Sequence, residues 1–135
     1  MRNMFSFIAG LFGTTGVALG ALGAHALKQK MHEGILTIDQ LNAFDTATKY
    51  QLMHAILLFI LAYINRDKKS KLYTMASYLI VFGVILFSGS IYMLSTQNIS
   101  GFNAGFIFGP VTPLGGLLLI AGWICITIQA LKRES

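Results

Sequence analysis

The chain has 135 residues, 55% of them hydrophobic and only 11% charged, and a formal net charge of +5. A soluble domain averages about 25% charged residues, so this composition excludes a domain that faces water alone, and the length leaves room for a single domain over residues 1–135. The basic residues sit in short joints between apolar runs, where they act as topology signals and phospholipid contacts rather than as a nucleic-acid surface; no nucleic-acid partner is expected.

Four apolar segments fill most of the chain, Met4–Leu27, Gln51–Ile64, Leu72–Leu94 and Thr112–Leu131. A helix needs about 20 mostly apolar residues to cross a bilayer, so the expected fold is all-α: an integral membrane bundle of four transmembrane helices. With the first residues cytoplasmic, the inner side carries Arg2, Arg66, Lys68, Lys69, Lys71, Lys132 and Arg133. The outer side carries only Lys28, Lys30 and Lys49, so both ends are expected inside. A cleaved signal peptide ending at Ala24-His25-Ala26 is the competing reading. The apolar run exceeds a usual h-region of about 7–15 residues, which favours a retained span.

The first segment is rich in glycine. Gly16, Gly20 and Ala24 follow a small-xxx-small-xxx-small spacing, which suits close helix approach in lipid; the alternative is that the glycines make room for a ligand or pore. Lys28 to Gly34 reads as a helix end and turn with Gly34 as cap, and Thr37 with Gln40 reads as a capping box opening an amphipathic lead-in to the second span. The strictly apolar part of that span, Leu52–Ile64, covers roughly 20 Å at 1.5 Å per residue, short of a core of about 30 Å. Tyr50, Gln51 and His54 are therefore drawn to membrane depth, facing protein. Asp45 is expected to pair with Lys49 one turn on.

The joint Arg66–Lys71 reads as a tight inner turn whose charges anchor two helix ends. Ser88, Ser90 and Tyr92 form a polar patch near the outer end of the third span. The uncharged, phenylalanine-rich segment from Asn98 to Pro110 is expected to lie over the outer mouth of the bundle. Thr112 is expected to cap the fourth helix, with Pro113 in its first turn. Gly115, Gly116 and Gly122 permit close packing, and the lone Cys125 reads as a packing residue.

Polar groups at membrane depth are costly, so His25, Tyr50, Gln51, His54, Ser88, Ser90, Tyr92 and Thr112 are the candidate site. Three readings stand: interhelical hydrogen bonding, a site for a small solute or lipid headgroup, and metal or haem binding through His25 and His54. Two histidines are too few for a closed zinc site, which takes four ligands. Neither a nucleophile-and-base set, a phosphate-cradling loop nor a metalloprotease motif occurs, so no enzymatic activity, no resident metal and no cofactor are expected.

Four blocks carry a resemblance: Gly20–Lys28 (GALGAHALK), Thr46–Ala55 (TATKYQLMHA), Phe87–Tyr92 (FSGSIY), and Thr112–Gly116 (TPLGG) followed by Gly122-Trp123. In order and content they resemble the small bacterial inner-membrane family of unknown function that includes YgdD and YwdK. A departure is Ala26, where that family more often has glycine. The resemblance implies a four-span membrane protein with no assigned activity, and its motifs fall on the polar residues that the depth argument selects. The resulting expectation is a non-enzymatic membrane protein that binds or passes a small solute or lipid headgroup at an outward polar cluster. The alternative is an accessory subunit or homo-oligomer docking through the glycine face of the first helix.

Overall fold

A computed structural model describes residues 2–132, and the side chains from residue 4 onward; Arg133 and the Arg2 side chain, counted above among the inner charges, lie outside the described residues. The architecture is all-helical. α1 (Arg2–Leu22) runs through a π-helical turn, Gly23–Leu27, into the short α2 (Lys28–His32). α3 (Ile38–Lys68) and α4 (Lys71–Ser95) follow, then two single turns, α5 (Gln97–Ser100) and α6 (Gly105–Phe108), and finally α7 (Val111–Leu131). Four helical stretches are long and apolar enough to cross a membrane: Met4–His32, Ile38–Lys68, Lys71–Ser95 and Gly105–Leu131.

α1 packs on α3, α3 on α4, and α4 on α7. The most apolar windows of α3 and α4 are 44% and 39% buried, against 17% for the first span and 22% for the last, so α3 and α4 form the central pair. The two ends of the bundle differ. One, the terminal end, holds the start of α1, the α3–α4 turn and the end of α7. The other, the loop end, holds α2, α5 and α6.

On α1 the buried or partly buried seam is Phe5, Ala9, Phe12, Gly16, Leu19 and Gly23, a spacing that alternates between four and three. That is the heptad of knobs-into-holes packing. The next seam position would be Ala26, yet Ala26 is exposed and Leu27 is buried. The π turn accounts for the shift, because it holds one residue more than an α turn and re-phases the helix. Leu27 and Met31 thereby meet Leu36, Phe44 and Tyr92 in a small apolar core at the loop end. A larger core, built on Leu58, Leu61, Ile80, Val84 and Leu119, fills the terminal half.

α3 begins as expected: Gln40 N–H donates to Thr37 Oγ1 at 3.1 Å, and Thr37 N–H donates to Gln40 Oε1 at 2.9 Å. Its 31 residues span about 46 Å, so the short apolar stretch is completed by the amphipathic lead-in. Gly34 takes a left-handed φ of 77° where the chain turns between α2 and α3.

The α3–α4 turn is only Lys69-Ser70, and an unforeseen network pins it. Ser70 N–H donates to Asn65 Oδ1 at 2.6 Å, Asn65 Nδ2 donates to Thr74 Oγ1 at 2.9 Å, and Ser70 Oγ donates to Gln129 Oε1 at 2.6 Å. Lys69 takes φ 49°, a left-handed position that glycine would occupy more cheaply by roughly 1 kcal/mol.

α4 and α7 approach most closely at Gly115, where an added Cβ would overlap the Phe87 backbone nitrogen. At Gly83 it would meet Leu119 Cδ2 at 2.6 Å, and at Gly122 Ile80 Cγ1 at 3.1 Å. Gly116 is looser, with Phe87 ring atoms no nearer than 3.7 Å. α7 opens at Val111 after Pro110, with no side-chain cap. The expected Thr112 cap gives way because helical backbone already runs on from α6 through Pro110, so Thr112 lies inside the first turn and its hydroxyl donates back to Phe108 O at 3.2 Å.

Candidate functional site

The candidate polar residues other than His25 form a layer between the two apolar cores. Gln51 is its hub. Its Nε2 donates to Phe12 O at 2.9 Å and to Thr15 Oγ1 at 2.7 Å on α1, while its Oε1 accepts from Tyr92 OH at 2.7 Å on α4. One amide thus joins three helices. Gly16 makes this possible: a Cβ there would lie 2.8 Å from Leu52 Cδ2 and 3.4 Å from Gln51 Nε2.

Beside it, Ser88 Oγ donates to Ala47 O at 2.8 Å, fastening α4 to α3. Ser90 Oγ and Thr112 Oγ1 stand 2.6 Å apart, fastening α4 to α7. His54 closes the layer towards α7. Its Nδ1 lies 2.8 Å from Tyr50 O and its Nε2 3.2 Å from Trp123 Nε1. A carbonyl accepts only and an indole N–H donates only, so the consistent tautomer carries its proton on Nδ1 and accepts at Nε2. Both ring nitrogens are then spent. Among the described residues, no buried side-chain nitrogen or oxygen lacks a partner.

His25 stands apart from this layer. It is exposed in the π turn and takes no part in those hydrogen bonds. Tyr50 is 38% exposed, its ring stacked near His54 and tilted on Phe87 at a centroid distance of 4.8 Å. Its carbonyl serves the layer, while its ring borders an apolar groove of 430 Å³ between α3 and α7, floored by Gly116 and Leu119. Among the described residues no group of three or more His, Cys, Asp or Glu side chains is placed to hold a metal. Trp123, met in the sequence only as part of the Gly122-Trp123 block, is the partner that fixes His54.

At the loop end, a cleft of 230 Å³ lies between the end of α1 and the start of α3. Gly20, Gly23 and Ala24 form one wall; Lys28, Asn42, Asp45 and Thr48 supply its polar groups. An added Cβ at Gly23 would meet Phe44 Cδ1 at 3.0 Å, whereas at Gly20 it would meet nothing within 4 Å. So of the expected small-residue stripe, Gly16 contacts another helix, Gly20 opens on the cleft, and Ala24 is exposed. Asp45 Oδ2 accepts from Lys49 Nζ at 2.6 Å, as the spacing suggested. Nearby, the hydrogen bonds that Lys30 and then Gln29 donate hold the Glu33 carboxyl below the usual carboxylate range.

The segment after α4 is tied down over this end. Asn98 Nδ2 donates to Ile35 O and to Gln40 Oε1, both at 3.1 Å, and Ala104 is fully buried. Phe106, 92% exposed, leaves the protein altogether, as an interfacial aromatic does.

Residues 19–116, which hold the loop-end cleft and every candidate polar residue, match the family described as "Protein of unknown function (DUF423)". The chain belongs to this family. It is 37% identical over 132 residues to the UPF0382 membrane protein YwdK of Bacillus subtilis, covering 96% of this chain and 98% of the relative. A UPF0382 membrane protein of Haemophilus influenzae is 36% identical over 136 residues, 100% of this chain and 99% of its own. The UPF0382 inner membrane protein YgdD of Escherichia coli is 31% identical over 135 residues, covering 99% and 95%. No solved structure matches the chain. As a member of this family with four apolar spans, it is a multi-pass membrane protein of unknown activity.

Proposed function

We propose that the polar layer is a lock that holds the four spans in one arrangement, and that the binding site is the loop-end cleft above it. A closed layer speaks against passage through the bundle, since every buried polar atom in it is already paired. The cleft is lined by the Lys28 ammonium, the Asn42 amide and the Asp45 carboxylate, which is shared with Lys49. That chemistry suits a zwitterion carrying a phosphate or carboxylate and an ammonium, whether a free solute or a lipid headgroup. The observation that carries the reading is Gly20, whose open face gives the cleft its depth. The role is non-enzymatic binding, with the cleft facing outward by the positive-inside rule.

The test uses phosphoethanolamine and phosphatidylethanolamine nanodiscs with purified protein. Gly20→Leu puts an apolar side chain into the cleft from a position where an added Cβ meets nothing within 4 Å, and Lys28→Ala removes the cation. Wild type is expected to gain thermal stability with phosphoethanolamine if the ligand is a solute, or only in the nanodiscs if it is a headgroup, with both variants losing the gain. Equal stability of wild type and variants under every condition overturns the reading.

A second reading has its own observation. Gly10 and Gly13 on the least buried span have nothing within 4 Å of an added Cβ and border an apolar groove with Ile56 and Phe59. We infer that a second copy of the chain docks there; Gly13→Leu should then convert a dimer to a monomer by native mass spectrometry. A wild-type monomer removes this reading.

A further inference from the structure

The terminal end carries two grooves with largely apolar floors that meet at Lys69 and Thr74. The first, 390 Å³, runs down between α1, α3 and α4 over Phe5, Leu61, Ala62 and the buried Ser77, with Asn65 and Arg66 at its mouth. The second, 450 Å³, runs down the outer face of α4 over Met75 and Leu79, with Lys71 at its mouth. Lys69 and Thr74 line both. Phe5 borders the first and Tyr78 the second, and their rings meet edge-on at 5.0 Å, so this pair is the ridge between the grooves.

We propose that this saddle is a binding site for one anionic diacyl phospholipid, its phosphate at Lys69 and one acyl chain in each groove. Three observations converge. The grooves are apolar below and cationic above, the order of groups in an anionic lipid. Among the described residues the acid at this turn is Asp67, 89% exposed and 3.7 Å from Arg66, so neither Lys69 nor Lys71 has a carboxylate partner. Finally, Lys69 holds a left-handed backbone position that favours glycine, φ 49°, and of the two residues both grooves share, Lys69 and Thr74, it is the cationic one. Backbone strain of this kind points from geometry to function. General attraction of a basic joint to anionic headgroups accounts for none of the groove geometry.

Native mass spectrometry of the detergent-purified protein, titrated with phosphatidylglycerol and with phosphatidylcholine of the same chains, tests the site. One phosphatidylglycerol is expected to bind per chain, ahead of phosphatidylcholine, and excess inorganic phosphate should not displace it. Lys69→Gly removes the ammonium while suiting the left-handed turn, so it folds; it should weaken binding roughly fivefold. Lys132→Ala removes a charge at the same end but outside both grooves and should change nothing. Single-chain lysophosphatidylglycerol should bind about tenfold more weakly, because one groove stays empty. Equal binding of the two headgroups, an unaffected Lys69→Gly, equal loss in Lys132→Ala, or displacement by phosphate would each overturn the proposal.

Discussion

Tyr92 of α4 donates its phenolic hydrogen to Gln51 Oε1 of α3 at 2.7 Å, and the same amide donates to Phe12 and Thr15 of α1. The pair is thus a cross-brace that three helices share. Tyr92→Phe leaves the buried amide oxygen unpaired and should cost about 1–2 kcal/mol. Gln51→Leu should cost more, since it also strands the Tyr92 hydroxyl. In a double-mutant cycle read by SDS unfolding in micelles, the two losses should be less than additive. Additive losses would show that the hydroxyl and amide act separately.

The glycines sort by what an added Cβ meets. Gly115→Ala must push α7 off the Phe87 backbone, an overpacking cost of about 1–3 kcal/mol. Gly10→Ala and Gly20→Ala meet nothing within 4 Å and should be neutral or slightly stabilising, because glycine is the weaker helix former. Thermal unfolding of the three variants in one detergent checks the order. A Gly115→Ala protein as stable as Gly20→Ala would mean that the α4–α7 contact is looser than its geometry.

Much of this was legible, for reasons particular residues make clear. The capping box at Thr37 and Gln40, the Asp45–Lys49 pair and the four spans follow from local chemistry and hydropathy, which act over a few residues. The depth argument drew Gln51 and His54 inward because the apolar stretch after them is short. Their partners were not legible: which helix Gln51 reaches depends on α1 lying alongside α3, a property of the whole bundle. On α1 the four-residue glycine spacing pointed to Gly20 and Ala24, while the seam follows the heptad through Leu19 and Gly23. The π turn that moves the next seam position to Leu27 leaves no local signature. Gln129 did carry a signal, as a polar residue within the last apolar run; the argument applied to Gln51 would have marked it as needing a protein partner, but would not have identified that partner as Ser70 Oγ.

His54 is predicted to be neutral with its proton on Nδ1, held there by Tyr50 O, while Trp123 Nε1 donates to Nε2. Nitrogen NMR of histidine-labelled protein should show one protonated Nδ1 and one hydrogen-bonded, unprotonated Nε2 for this residue. Trp123→Phe keeps a ring in place but removes the donor; the Nε2 resonance should move towards that of a free imidazole nitrogen, with a loss of about 1 kcal/mol in stability. An unchanged Nε2 resonance would show that the indole bond is absent in the membrane.

Asn65 closes the α3–α4 turn with both ends of its amide, accepting from Ser70 N–H and donating to Thr74 Oγ1. Asn65→Ala should therefore cost about 1–2 kcal/mol, near the upper range for a lost cap, because it orphans a backbone donor as well as a hydroxyl contact. Lys69→Gly in the same turn should act oppositely and stabilise by roughly 1 kcal/mol, since glycine adopts the φ of 49° without steric cost. The two effects concern one two-residue connection, so their opposite signs in SDS unfolding test its geometry better than either alone. If Lys69→Gly destabilises instead, the lysine side chain must contribute more to folding than its backbone strain removes.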